Sequence, residues 1–163
     1  MMETSLCYIE QEGCYLLLHR IKKEQDINKD KWIGIGGKLL AGESPAECNQ
    51  RETLEETGLT LLKAEYRGIV DFECDGFAER MHLFWSDSFC GSLKDCREGV
   101  LEWVPKERML ALPHWEGDEL FLKLLEERAP FFHLELVYSG SRLIKSVLKE
   151  QSLEIPFGIL YND

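Results

Sequence analysis

The sequence is short of several features that would each assign it to a class. No two of its six cysteines stand as a C-x-x-C pair, and no histidines pair up to help them, so a structural zinc site is not expected. Scattered thiols of this kind suit a reducing compartment, the cytoplasm, with most of them buried as small apolar residues. Basic residues are in deficit: 19 Lys and Arg against 30 Asp and Glu leave a formal net charge of −11. A nucleic-acid polymer is therefore not an expected partner, because its binding surfaces are basic. Apolar runs such as Tyr15–Leu18 are too short to cross a bilayer, and Met1–Glu10 lacks the basic and apolar blocks of a signal peptide, so no membrane partner is expected. No repeat, low-complexity run or proline-rich linker divides the 163 residues. That length suits one domain spanning residues 1–163, with 151–163 a tail of unassigned packing. An acidic chain can still hold a polyphosphate where divalent cations lie between its carboxylates and the phosphates.

What is present reads as an α+β order. Thr4–Glu10 and Cys14–Arg20 alternate as two strands around a turn at Glu12-Gly13, and Lys22–Lys31 is a highly charged loop. Trp32–Leu39 is extended and carries three glycines. Strands are expected at Leu59–Asp71, Arg80–Ser88 and Val100–Val104. A helix is expected at Asp118–Arg128, with Leu120, Phe121, Leu124 and Leu125 as its apolar face. Phe132–Tyr138 and Arg142–Lys149 form a late hairpin around Ser139-Gly140, and Gln151–Asp163 has no assignment beyond an apolar stretch at Ile155–Leu160.

Ser44–Gly58 is the clearest helix. Ser44 and Glu47 make a capping box, Pro45 takes the first helical position, and Gly58 suits the left-handed cap. Yet its last two turns carry Glu52, Glu55 and Glu56 on one side, at i, i+3 and i+4. Each like-charged neighbour costs roughly 0.2–0.5 kcal/mol. Each carboxylate at the negative end of the helix dipole costs roughly 0.3–1 kcal/mol. An exposed acidic face is the ordinary reading of such a cluster. A bound divalent cation removes the conflict, because clustered carboxylate oxygens are the ligands Mg²⁺ prefers. Gly36-Gly37-Lys38 lies just upstream, where glycine lets backbone groups approach a ligand. Gly34–Leu39 lacks the G-x4-G-K-[ST] spacing, which excludes a P-loop.

Gly37, five residues, Glu43, seven residues, then Arg51-Glu52-Thr53-Leu54-Glu55-Glu56-Thr57-Gly58-Leu59 resembles the Nudix box. The one departure is Thr53, where the pattern prefers a bulky aliphatic residue. The resemblance implies an α-β-α sandwich around a mixed sheet, with the box as loop–helix–loop. It implies a Mg²⁺-dependent hydrolase (Mn²⁺ a possible substitute) with Glu52, Glu55, Glu56 and the Gly37 carbonyl as metal ligands. Arg51 would pair with a carboxylate such as Glu43 and orient the helix. Glu98, just before Val100–Val104, is a candidate further ligand or base, and a solvated loop residue otherwise. Which glutamate takes the proton from water stays open.

Beyond the box the chain resembles the MutT-like subgroup, whose sanitising members cleave oxidised purine nucleoside triphosphates. Phe72 and Met81 fall at that subgroup's base-pocket positions, and they suit a core equally. Trp115 resembles a base-contacting tryptophan, and Asp118 an acid reading a purine edge. Lys23 and Lys38 are candidate phosphate contacts. Two differences stand out: Ile33 takes the place of an edge-reading asparagine, and Gly117-Asp118 that of two adjacent aspartates. The expected reaction is conversion of a nucleoside triphosphate, of oxidised purine or other base, to monophosphate and pyrophosphate. The expected partner is that small nucleotide, and the expected state a monomer or homodimer. ADP-ribose or another nucleoside-diphosphate-linked substrate is the alternative within the same chemistry. A non-catalytic nucleotide-binding module is the alternative of another class, disfavoured because the acidic set and Arg51 are intact.

Overall fold

A computed structural model describes residues 1–149 and 158–161. In chain order the elements are β1 (Met2–Gln11), β2 (Cys14–His19), β3 (Trp32–Ile33), β4 (Ile35–Lys38), α1 (Pro45–Thr57), β5 (Leu59–Cys74), β6 (Phe77–Gly91), β7 (Val100–Pro105), α2 (Asp118–Glu126), β8 (Phe132–Ser139), β9 (Arg142–Lys149) and β10 (Gly158–Leu160). A 3₁₀ turn at Lys106–Ala111, not foreseen from the sequence, joins β7 to the approach to α2.

The main sheet runs β4-β1-β6-β5-β8-β9 and is mixed: β1 pairs parallel with β6 and β5 with β8, while the other neighbours are antiparallel. β8 follows β5 over Gly68–Cys74, and β10 takes the same edge of β5 at Lys63–Glu65. A smaller sheet, β7-β2-β3, is joined to it by the β1–β2 hairpin.

Strand alternation divides the interior in two. Leu6 and Tyr8 of β1, with Tyr15 and Leu17 of β2, point to the core that includes Phe121 and Leu125 of α2. Cys7, Ile9, Leu16 and Leu18 point the other way, into the core beneath α1 with Ile35, Leu61 and Phe84. One helix thus covers each face, the expected α-β-α layering of an α+β fold.

Three sequence expectations need revision. Trp32–Leu39 is two strands, β3 on β2 and β4 on β1. The β5–β6 hairpin is longer at both ends than expected, because Asp75-Gly76 makes a two-residue turn with both φ positive (47° and 88°) and pairing continues to Cys74↔Phe77. On α2 the buried pair is Phe121 and Leu125, at i and i+4, while Leu120 is exposed and Leu122 and Leu124 are partly covered. In the tail, β10 takes up Gly158–Leu160, and Ile155, Pro156 and Phe157 of the apolar stretch lie outside the described residues. Among the described residues no helix is long and apolar enough to cross a membrane.

α1 carries the caps its sequence encodes. The Ser44 hydroxyl accepts from the Glu47 amide at 3.1 Å, and Glu47 accepts from the Ser44 amide at 2.9 Å. Gly58 ends the helix at φ 84°, its N–H returning to the Leu54 carbonyl. A Cβ at Gly58 would lie 2.5 Å from the Ser92 carbonyl oxygen as well as in a left-handed conformation. Gly58→Ala is therefore expected to cost at least about 1–2 kcal/mol, the conformational term alone, as measured by denaturant unfolding. A variant as stable as the wild type would mean that this cap does not anchor the helix.

Candidate active site

The helix end and the loop before it are tied by one guanidinium. Arg51 Nε and Nη2 donate to the two Glu43 carboxylate oxygens at 2.6 and 2.9 Å. Its Nη1 reaches Glu52 at 2.8 Å and Glu55 at 3.0 Å, and Nη2 also reaches the Lys38 carbonyl at 3.0 Å. The forked bond to Arg51 pulls the Glu43 carboxyl down to about 2.

Glu56 is in a different situation. Burial pushes its carboxyl well above the usual range, and the neighbouring Glu98 and Glu52 charges add to the effect. Its Oε2 is buried with no hydrogen-bond partner. Burial also raises Glu52, against the pull of Arg51. Burial works to raise Glu98 too, but the Lys23 ammonium and the Arg20 guanidinium outweigh it and hold Glu98 low. The bonds responsible are Lys23 Nζ to Glu98 at 3.0 Å and Arg20 Nη1 to Glu98 at 2.6 Å.

Gly37 lies directly against this cluster. A Cβ there would fall 2.4–2.6 Å from the Glu52 carboxylate atoms, so only glycine leaves that carboxylate its place. The donor set is all oxygen, half-buried and mutually repelling, with one orphaned carboxylate oxygen, and this fits a hard dication. Glu52, Glu56, Glu98 and the Gly37 carbonyl are the groups that would hold it, with Glu55 at the exposed rim. Among the described residues no three of the side chains converge on one point as they stand. Arg51 draws Glu52 and Glu55 outward, and Arg20 and Lys23 hold Glu98, so these ion pairs would have to yield to a metal.

From this acidic end a cavity of about 540 Å³ runs along the β1–β4 surface. Its wall takes in Lys23, Lys38, Gly37, Glu52, Glu56 and Glu98 as well as Phe72, Met81, Trp115 and Asp118. Of the residues singled out from sequence, Glu55 lies instead on the outer side of the helix end, beside Lys94 and Arg97, and Arg51 lines neither.

The far end is aromatic. Trp115 meets Phe72 edge-to-face at 5.0 Å and Tyr138 at 4.9 Å, with the Lys31 ammonium 4.3 Å from its ring centroid. Its Nε1 donates to Asn28 Oδ1 at 2.8 Å. Asn28 is brought there by the charged loop, which Arg20 and Asp26 pin at 2.8 Å. Asp118 is buried beside them, and burial raises its carboxyl to about 7, against the pull of His114 and a Trp115 backbone bond. Asn28, Asp26, Arg20 and Glu79 also line the cleft and escaped the sequence reading. The charge density of Lys22–Lys31 was a signal for that loop, but nothing local says that Asn28 meets a tryptophan 87 residues away.

A family model described as NUDIX domain matches residues 3–125, so β8, β9, β10 and Tyr161 lie beyond the match. The chain is 31% identical over 111 residues to an oxidized purine nucleoside triphosphate hydrolase of Danio rerio, covering 67% of this chain and 71% of that one. It is 29% identical over 132 residues to a CTP pyrophosphohydrolase of Escherichia coli K12, covering 78% and 96%. The crystal structure of a mutator MutT protein from Bacillus halodurans superposes with a TM-score of 0.80 at 27% identity, covering 93% of this chain and all of that one.

The Glu56 environment has a pH signature. A carboxyl raised on folding binds its proton more tightly in the folded than in the unfolded state. The metal-free protein therefore loses stability as pH climbs from the ordinary carboxylate value toward the raised one. Glu56→Gln should match the wild type near pH 4 and melt several degrees higher at pH 8, by thermal unfolding in a chelator. A gap that is absent at pH 8, or widest in acid, would contradict this placement.

Proposed function

This chain belongs to the Nudix family, as a MutT-like pyrophosphohydrolase, and from that premise we propose that it converts a nucleoside triphosphate to the monophosphate and pyrophosphate, with Mg²⁺ as the ion and Mn²⁺ as a substitute. The observation carrying this reading is the single cleft that joins the Glu52–Glu56–Glu98 cluster to the Trp115–Phe72–Asp118 end. A nucleotide needs those two chemistries, one for polyphosphate and one for a base, within one molecule's length. An acidic cluster alone would suit many metals, and an aromatic pocket alone many ligands.

When bound, the dication neutralises phosphate charge and makes a coordinated water more acidic. The residues of the chain do the rest. Water adds across the α–β anhydride, one P–O bond forming as the bridging bond breaks. The proton of that water goes to a carboxylate of the cluster, and monophosphate and pyrophosphate separate, one keeping the bridging oxygen and the other gaining the oxygen of water. Lys23 and Lys38 on the cleft wall contribute positive charge toward the phosphates. Arg51 holds the carboxylates from outside the cleft.

Phe72, Met81 and Trp115 supply apolar surface for the base. Asp118, raised to about 7, can donate or accept at a base edge near neutral pH. Ile33 on the same wall adds no polar reader. The name of the zebrafish relative favours an oxidised purine and that of the bacterial relative a pyrimidine. A purine triphosphate is the proposed substrate, because Asp118 on the cleft wall is able to donate or accept at a purine edge. Its free cysteines suit the reducing cytoplasm.

Substrate loss and the identity of the phosphorylated products should be measured with Mg²⁺ from dGTP, 8-oxo-dGTP, dATP, dCTP, ADP-ribose and a dinucleoside tetraphosphate, with a chelator control. The expected outcome is metal-dependent release of pyrophosphate, greatest for a purine triphosphate, while preference for ADP-ribose would replace this substrate class. Glu56→Gln should lower kcat by roughly 10²-fold or more with the fold intact, in line with loss of charge stabilisation at the reacting centre. Asp118→Asn should flatten the change in kcat/KM between pH 6 and pH 8, the range about its raised value. Wild-type turnover in Glu56→Gln would remove that residue from the site.

A further inference from the structure

α1 buries Cys48, Asn49, Thr53 and Thr57, and Glu56 flanks that buried side. These are small or polar groups, and burying them gains little from excluding water. The rotation and depth of the helix therefore depend on specific bonds more than on apolar packing. Thr57 spends its hydroxyl on the Thr53 carbonyl of the same helix, and the Thr53 hydroxyl has no hydrogen-bond partner. Asn49, 1% exposed, bonds outside the helix: its Nδ2 donates to the Tyr161 hydroxyl at 2.9 Å.

Tyr161 comes from the opposite end of the chain and is held on two further sides. It directly follows β10, which pairs with Lys63–Glu65 of β5, and its own N–H reaches the Leu62 carbonyl at 3.3 Å. Its ring packs into the core beneath α1. Along α1, seven residues separate Asn49 from Glu56, and three separate it from Glu52. Seven residues are nearly two whole turns, so Asn49 and Glu56 share a helix azimuth to within about 20°. A rotation or lift of the helix at Asn49 therefore carries both glutamates with it.

We propose that Tyr161 is a positioning residue for catalysis: through Asn49 the C-terminal strand fixes the depth and rotation of α1, and with them the aim of Glu52 and Glu56 into the cleft. This rests on reading α1 as the catalytic helix, and it adds to the shared domain a strap from outside it.

The test compares the full-length wild type with Tyr161→Phe, Asn49→Ala and the double variant. Three quantities are read: amide hydrogen exchange across α1 in the metal-free protein, kcat and KM for the preferred triphosphate with Mg²⁺, and the thermal midpoint. Tyr161→Phe keeps the ring and loses only the hydroxyl. It should speed exchange in α1 severalfold and lower kcat roughly tenfold, the kind of loss small misplacements cause. KM should stay within about twofold, since the aromatic end of the cleft and its lysines are untouched. The double variant should be no worse than Asn49→Ala alone, because one contact serves both residues.

Wild-type exchange in α1 with wild-type kcat overturns the proposal. So does a lower thermal midpoint with kcat intact, which is the mark of a merely structural contact, or losses that add in the double variant. If Asn49→Ala fails to fold, exchange and kcat in Tyr161→Phe decide alone. If the wild type turns over nothing in the substrate panel, the activity reading has failed, and α1 exchange in Tyr161→Phe still decides the strap.

Discussion

The Arg51 guanidinium sits where the loop after β4 meets the last turns of α1, and its five donors are shared among Glu43, Glu52, Glu55 and the Lys38 carbonyl. Without that cation, three carboxylates would face one another at the unfavourable end of a helix dipole. With it, Glu43 becomes a strongly held anion that locks the loop, while Glu52 and Glu55 are only partly neutralised. The compensation stops short of Glu56, whose half-buried carboxyl answers to Glu98 instead. The helix is therefore stable enough to fold, with a local deficit of positive charge at the head of the cleft. That deficit is what a dication can fill, and it explains why a well-capped helix tolerates such a sequence.

The opposite end of the cleft is settled by different forces. Trp115, Phe72 and Tyr138 meet edge to face, an arrangement that leaves the tryptophan a defined plane. Asn28 fixes its indole N–H, and the Tyr138 hydroxyl fixes the turn before α2 by accepting from the Gly117 amide at 2.7 Å. Arg20 spans the two ends, bonding Asp26 of the charged loop and Glu98 of the acidic cluster. One side chain thereby ties the acidic cluster to the loop that holds Asn28.

Local chemistry carried the sequence reading furthest. The capping box, Pro45 and Gly58 state the limits of α1 residue by residue, and the spacing of Glu52, Glu55 and Glu56 states its charged side. Alternation locates most strands, and at the tip of the β5–β6 hairpin the positive φ of Asp75 and Gly76 lets pairing run on to Cys74↔Phe77. Burial of α2 through Phe121 and Leu125 with Leu120 left outside depends on how a nine-residue helix lies on the sheet. A periodic pattern that short does not determine it. The contacts that no window of sequence contains are those between distant segments: Asn28 with Trp115, Arg20 with Glu98, Asn49 with Tyr161. Each joins polar groups whose partners become visible only once the sheet has assembled them.

Strand β1 sends Met2, Thr4, Leu6 and Tyr8 to the cleft and Cys7 and Ile9 into the core under α1. The two sets share a backbone and almost nothing else. Substitutions at the even positions reshape the cleft wall and, at Leu6 and Tyr8, the core under α2, while Cys7 and Ile9 under the acidic helix stay in place. A lineage carrying this fold can thus try new substrates one residue at a time and keep a working hydrolase throughout. Selectivity and reactivity are in that sense separately heritable, and the two-residue period of a single strand is what separates them.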